Sequence, residues 1–340
     1  MTAHTAICKA HTNIALIKYW GKRDESLFLP MTSSLSLTLD GLYTVTKVTF
    51  DPDLGQDRFD LNGQGQGQAE TDKISRFLDL FRTEAQCDWP AYVQSYNFVP
   101  TAAGLASSAS AFAALAGACR QALKLDMSDQ VLSTFARRGS GSATRSVFGG
   151  FVEWQAGVSS ETSFAKPLDD GDWDIGMVIV ALNTNKKQIS SRTGMKLTMA
   201  TSPYYQLWPQ IVAQDLAAMH RALAQRDFDQ IGRLAEANAM RMHASMLAAD
   251  PPFSYFEPAT MALIKQIQTW RQAGWSIYYT MDAGPNVKIL CRKSQMQDLA
   301  QLLADFMPDA QIITSQAGPG LSYLSPDQWK EIQDAQSNRN

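Results

Sequence analysis

The 340-residue chain has few cysteines, few histidines and no excess of either charge, and each shortage closes off a class of function. Its four cysteines, Cys8, Cys87, Cys119 and Cys291, lie far apart with no CxxC pair, and four scattered histidines do not complete a zinc-ligand set. Reduced thiols in a cytoplasmic protein fit this spacing. Thirty Lys and Arg stand against 33 Asp and Glu, a net charge of -3, which removes the bulk positive field of a general nucleic-acid binder. Any anion site must then be local. There is no GxxxxGK[ST] loop and no GxGxxG fingerprint. The N-terminus lacks the order of charged start, apolar run and small-residue cleavage site, so no signal peptide is expected. The uncharged stretch 98–119 is long enough to reach across a bilayer, but it consists of Ala, Gly and Ser with few large apolar side chains. A soluble, buried helix is expected there, and no membrane span.

What is present is a globular composition, 45% hydrophobic and 19% charged, long enough for two ordinary domains. Runs rich in Val, Thr, Tyr and Phe predict strands at 13–20, 35–39, 43–50, 92–98, 147–154 and 175–182. Ile74, Phe77, Leu78 and Phe81 recur at helical spacing, as do Val131, Leu132, Phe135 and Ala136. Beyond residue 200 helical patterns dominate, around 207–212, 228–238 and 257–271. Strands at 276–281 and 287–291, a helix over 299–306 and a strand at 311–314 follow. The Gly-Gln stretch 63–68 reads as a surface loop. Two α+β domains result, residues 1–185 and 186–330, with 331–340 as a tail.

Four places carry chemistry. PTAAGLASSASA at 100–111 follows a strand and opens a helix, where small residues let a ligand approach and free N–H groups favour phosphate oxygens. The same residues also suit close helix packing. Arg137, Arg138 and Arg145 are the only charges between Ser133 and Val152. Lys186, Lys187, Arg192 and Lys196 are the only ones between Asn183 and Met199, and Lys18, Lys22 and Arg23 surround YWGKR. Each basic stretch alone suits a solvated loop. Together, set among Ser, Thr and Gly, they suit one site for a highly charged anion. Asp282 is the only charge between Arg271 and Lys288. Its place before Ala-Gly-Pro-Asn fits a turn-former and, equally, a partly buried acid beside a cation, able to orient and deprotonate an alcohol. His220 and His243 read as surface or packing residues, and Met240, Met242 and Met246 as core filling.

In order along the chain, NIALIKYWGKRD at 13–24, PMTSSLSLTL at 30–39, PTAAGLASSASA, GSGSATRSVFGGFVEW at 139–154, SSRTGM at 190–195 and MDAGPNVKIL at 281–290 resemble the GHMP small-molecule kinase superfamily. YWGK, SGSATRS and DAGPN together resemble its diphosphomevalonate decarboxylase branch. The resemblance implies a two-domain α+β GHMP kinase-like fold with the active site in the inter-domain cleft. There ATP, with Mg2+, would phosphorylate the tertiary alcohol of mevalonate 5-diphosphate, and loss of phosphate and carbon dioxide would give isopentenyl diphosphate, a step of the mevalonate pathway of isoprenoid biosynthesis. It also implies a homodimer.

By the same resemblance, Asp282 and Lys18 are the catalytic pair, with Arg145 and Ser191 also catalytic. Tyr19, Trp20, Gly21, Lys22, Ser140, Gly141, Ser142, Ala143, Thr144, Arg145, Ser191 and Arg192 would bind the substrate. Asn97, Pro100, Gly104, Leu105, Ala106, Ser107, Ser108 and Lys187 would meet ATP, with Ser107 also on magnesium. Lys186 stands beside Lys187 as the alternative ATP contact. Two rival functions share the constellation: a kinase that stops at phosphorylation, and a non-catalytic anion-binding homologue.

Overall fold

The computed structural model describes residues 3–99, 107–182 and 189–337. Its first half runs β1 (His4–Ile17), β2 (Lys22–Asp24), β3 (Leu29–Pro30), β4 (Ser34–Phe50), β5 (Arg58–Leu61), β6 (Gln64–Gly65), α1 (Gln68–Ala85) and β7 (Ala91–Asn97). Then come α2 (Ser107–Ala122), α3 (Asp129–Gly139), a 3-10 turn (Gly141–Val147), β8 (Phe151–Trp154) and β9 (Ala165–Asp169). The second half holds β10 (Gly176–Ala181), α4 (Ser191–Thr201), α5 (Trp208–Ala224), α6 (Phe228–Leu247), α7 (Pro258–Gln272), β11 (Tyr278–Met281) and β12 (Val287–Cys291). It ends in α8 (Met296–Phe306), β13 (Gln311–Gln316), β14 (Ser322–Tyr323) and α9 (Pro326–Ser337).

One sheet has the order β14-β1-β4-β7-β5-β6, with β8 paired to β4 and β9 to β8; a second has the order β11-β12-β10-β13, and β2 pairs with β3 in a small third. Residues 35–39 and 43–50, expected as two strands, form the single strand β4, antiparallel to β1 from His4↔Phe50 to Ile17↔Leu35. Asp40 and Gly41, which read as a break, stay extended because Ser315 of β13 donates to Asp40 Oδ1 (2.8 Å) and accepts from the Gly41 amide (3.1 Å). The strand expected at 147–154 begins only at Phe151. Before it, the Gly/Ser-rich segment coils into the 3-10 turn, with Thr144 Oγ1 bonded to the Gly141 carbonyl. The Gly-Gln stretch is not wholly a loop: Gln64–Gly65 pairs with β5, and α1 starts at Gln68.

The expected division at 185/186 would separate β10 from β12 and β13, between which it is the antiparallel partner. The second sheet takes β10 to β13, and β14 then returns to the first, on β1. Residues 331–337 of the expected tail are the end of α9, where Ile332 packs with Trp329 against Ile7, Val45 and Tyr96 of the first sheet; 338–340 lie outside the described residues. Core packing joins the halves, with Leu35, Leu37 and Leu39 of β4 in one cluster with Met177 and Ile179 of β10 and Met219 and Ile231 of α5 and α6. The small-residue helix α2 buries ten of its residues and lies on β1 and β4. Among the described residues no helix is long and apolar enough to cross a membrane.

Candidate active site

A cleft of about 880 Å³ opens where β1 ends, walled by the 3-10 turn, the start of α4 and the turn after β11. Residue 18 was expected inside a strand; β1 stops at Ile17, and the Lys18 amide instead donates to Asn238 Oδ1 of α6 (2.8 Å). That redirection aims the buried ammonium at Ala15 O (2.7 Å) and Asp282 Oδ1 (2.8 Å). The other Asp282 oxygen lies 3.2 Å from Nζ of Lys288, on β12. Both lysine side chains are 2% exposed, while that of Asp282 is 37% exposed, on the cleft side. Burial opposes the charge on Asp282, but Lys18 and then Lys288 outweigh it and hold the carboxyl well below its usual range. Burial likewise pulls Lys18 down to about 8, against the pull of Asp282 and with help from the charges of Lys288 and Arg145. Of the two readings open for Asp282, the turn residue is also the ion-paired acid.

Among the described residues, Arg145, buried at the last turn of the 3-10 segment, is gripped by neutral oxygens. Nε donates to Ser36 Oγ (3.0 Å) and Asn13 Oδ1 (3.3 Å), and Nη1 to Ser34 Oγ (2.5 Å). Asn13 in turn donates to Ser142 O and Ser146 Oγ, fixing the turn to β1. No carboxylate pairs with Arg145 within 4.0 Å among the described residues; burial lowers its pKa to about 10, so it stays cationic at neutral pH. A buried cation held by neutral groups at a cleft wall is a ready anion receptor.

The YWGK segment follows Lys18. Gly21 has φ +115°, and a Cβ there would lie 1.8 Å from Tyr205 Oη, which donates to Trp20 O. Gly141 is similarly required, because a Cβ would meet the Tyr19 ring at 2.9 Å. Lys22 lies 4.0 Å from the Phe28 ring centroid and 3.5 Å from Glu25; burial lowers its pKa. Ser190 caps α4 through the Thr193 amide (3.1 Å), presenting Ser191 and Arg192 to the cleft, with the Arg192 guanidinium 5.8 Å from the Phe28 ring centroid.

Ser140, Gly141, Ser142, Tyr19, Trp20 and Ser108 also line the cleft, and the hydroxyls of Ser108, Ser140 and Ser142 form a 3.2 Å chain. Gly21, Ala143 and Thr144 do not line it; they support it from behind, the last two fully buried. Asn97 is bonded to Thr44 (2.8 Å) on the sheet, away from the cleft lining. Ser107 is the first residue of α2. Pro100, Gly104, Leu105, Ala106, Lys186 and Lys187 lie outside the described residues. Of the remaining basic residues, Arg138 lines the cleft, Arg137 braces the Ser160 and Ser163 carbonyls, and Lys196 faces Glu25 at 3.7 Å.

The sequence matches two adjoining domain families: diphosphomevalonate decarboxylase-like N-terminal domain over residues 10–165, and mevalonate 5-diphosphate decarboxylase C-terminal domain over 177–338. The chain belongs to the diphosphomevalonate decarboxylase family. It is 36% identical over 336 residues to the diphosphomevalonate decarboxylase of Ganoderma lucidum, covering 92% of this chain and 84% of that one. The fold superposes on mevalonate diphosphate decarboxylase from Staphylococcus aureus with a TM-score of 0.91 at 48% identity, covering 95% and 99% of the two chains. A relative bound to MVAPP, AMPPCP and magnesium gives 0.90, also at 48% identity, covering 95% and 100%. The α+β two-domain fold expected from the motifs is the fold of these decarboxylases.

Within this family frame, magnesium fits the donor set. Among the described residues no group of three His, Cys, Asp or Glu forms a metal cage, and the cleft wall offers the hydroxyl oxygens of Ser108, Ser140 and Ser142. Such a wall suits a hard cation that arrives with nucleotide phosphates and keeps much of its own water. Lys288, Asn13, Ser34, Ser36 and Asn238 belong to the site but were not singled out from the sequence. Lys288 sits inside an apolar strand, and the serines alternate along a strand, so only the pairing of distant segments brings them to the cleft.

Proposed function

We propose that this cleft takes mevalonate 5-diphosphate and ATP and yields isopentenyl diphosphate, ADP, phosphate and carbon dioxide. The observation that carries the assignment of roles is the cleft-facing Asp282 between two buried ammonium groups, with Arg145, held by neutral oxygens among the described residues, on the adjoining wall. Asp282 orients the tertiary alcohol and takes its proton as the oxygen attacks the γ-phosphorus; ADP departs. Lys18 keeps the carboxylate ionised and aimed. The new C–O–P linkage then breaks at its C–O bond, the electrons of the bond to the carboxylate carbon form the alkene, and carbon dioxide leaves. Arg145, with its planar fork, holds substrate anions through both steps, while Ser140 and Ser142 donate hydroxyl hydrogens to the diphosphate and Tyr19, Trp20, Lys22, Ser191 and Arg192 complete the pocket.

Ser107 and Ser108, at the N-terminus of α2, would receive nucleotide phosphates, and Ser107 the magnesium, which neutralises phosphate charge when bound. The lysine at 187 is placed at ATP on the motif alone. The family reading also carries a homodimer and a cytoplasmic location, which sedimentation and cell fractionation test. The function is tested by incubating the chain with ATP, magnesium and mevalonate 5-diphosphate. Isopentenyl diphosphate by mass spectrometry, with stoichiometric carbon dioxide, is the expected result. A phosphorylated product without carbon dioxide would make it a kinase only, and no ATP turnover a binding protein.

A further inference from the structure

We infer that Lys288 is a positioning residue for this reaction: a second buried ammonium that fixes the free edge of the Asp282 carboxylate and sets the charge balance of the Asp282–Lys18 pair. The inference rests on the proposed role of Asp282. Asp282 hangs on a turn, where a single contact to Lys18 would leave the carboxylate free to swing about that contact. Lys288 takes the other oxygen at 3.2 Å, so each oxygen accepts one ammonium and keeps one lone-pair direction for the cleft. The residue is held for that task. It stands on β12 between β10 and β11, pairs with Ile179 and Thr280, and its Nζ also donates to the Asn286 carbonyl at 3.3 Å. Its neighbours on the strand, Val287 and Ile289, are buried apolar residues, so an ammonium here is desolvated at a cost that the carboxylate, together with the Asn286 carbonyl, offsets.

Among the described residues, the charged and titratable groups around Asp282 are Lys18 at the end of β1, Lys288 on β12, Arg145 from the 3-10 turn and His243 from α6. His243 is kept neutral by burial, so three cations surround one carboxylate, and the resident excess of positive charge suits a substrate that brings several negative ones. The lysine charges also act on each other: Lys288 repels the Lys18 ammonium and makes it easier to deprotonate. Removing the Lys288 charge should therefore leave Lys18 protonated to higher pH. A residue that merely filled space would not move that limb.

The test compares Lys288→Gln and Lys288→Met with the parent over pH 5–10, measuring kcat, KM for mevalonate 5-diphosphate and thermal unfolding, with Asp282→Asn as control. In the Gln variant, which keeps a donor of similar reach, kcat is expected to fall about tenfold or more with KM changed by less than about threefold. The alkaline limb of kcat, set by Lys18, is expected to move up by about half a pH unit or more. If the Met variant fails to fold, the Gln variant decides. A folded Gln variant with parental kcat and a superimposable pH profile overturns the inference while an inactive Asp282→Asn leaves the catalytic assignment standing. An active Asp282→Asn overturns both.

Discussion

Replacing Asp282 by Asn keeps the shape of the side chain and removes the one charge that two buried lysines share. Lys18 donates to Oδ1 at 2.8 Å and Lys288 reaches Oδ2 at 3.2 Å, and both ammonium groups are 2% exposed. Breaking a fully buried ion pair by deleting one partner costs about 3–5 kcal/mol, because the remaining charge has no counter-ion. Here the carboxylate is 37% exposed to the cleft, so solvent screens part of the interaction and a loss of about 2–3 kcal/mol is expected.

The pH dependence has a definite sign. Without Asp282, Lys18 falls further below about 8, since the carboxylate is what opposes the effect of burial. An unfolded lysine then binds more protons than the folded one from that lowered value up to the ordinary lysine range, near 10.4, and the variant gains stability as pH rises through this window. The parent, whose pair is intact, should gain less. Catalysis should fall by about 10²–10⁴-fold, the usual contribution of a positioned general base. Single-turnover transfer from ATP measures that loss, calorimetry checks that both substrates still bind, and thermal melts at several pH values give the stability. Phosphoryl transfer at near-parental rate, or a melting profile identical to the parent's at every pH, would refute the reasoning.

Arg145→Lys keeps the charge but loses the fork anchored to Ser34 and Ser36, and kcat/KM for mevalonate 5-diphosphate should drop about 100-fold or more in steady-state assays. Ser107→Ala should raise KM for magnesium-ATP and lower turnover with an unchanged melting temperature, because only a hydroxyl at the start of α2 is removed; unaltered ATP kinetics would sink that assignment. His243 is buried and held neutral, its pKa lowered to about 3, so the unfolded chain binds more protons between that value and about 6.5, and the fold loses stability as pH falls through this range. In His243→Leu, chemical denaturation at pH 7 and pH 4.5 should show a smaller acid-induced loss than in the parent.

The sequence by itself determined the chemistry on offer. Charges without a local partner drew attention to the stretches of Arg145 and Lys18 and to Asp282 but left a solvated loop or a turn open for each, and only the ordered motifs gave them their expected roles. Period-2 and period-3.6 patterns likewise placed most strands and helices, since one-sided burial imprints its own repeat. Tertiary structure decided the rest. It carried β4 straight through Asp40 and Gly41 because β13, from the far end of the chain, supplies the missing hydrogen bonds. It moved β10 into the second sheet and folded α9 back onto the first, since a run buried on both faces carries no sign of which sheet it joins. Lys288 was hidden for the same reason. Its neighbours in sequence are apolar strand residues, and its meaning comes from Asp282 across a turn and Lys18 across the chain, separations that no local pattern records.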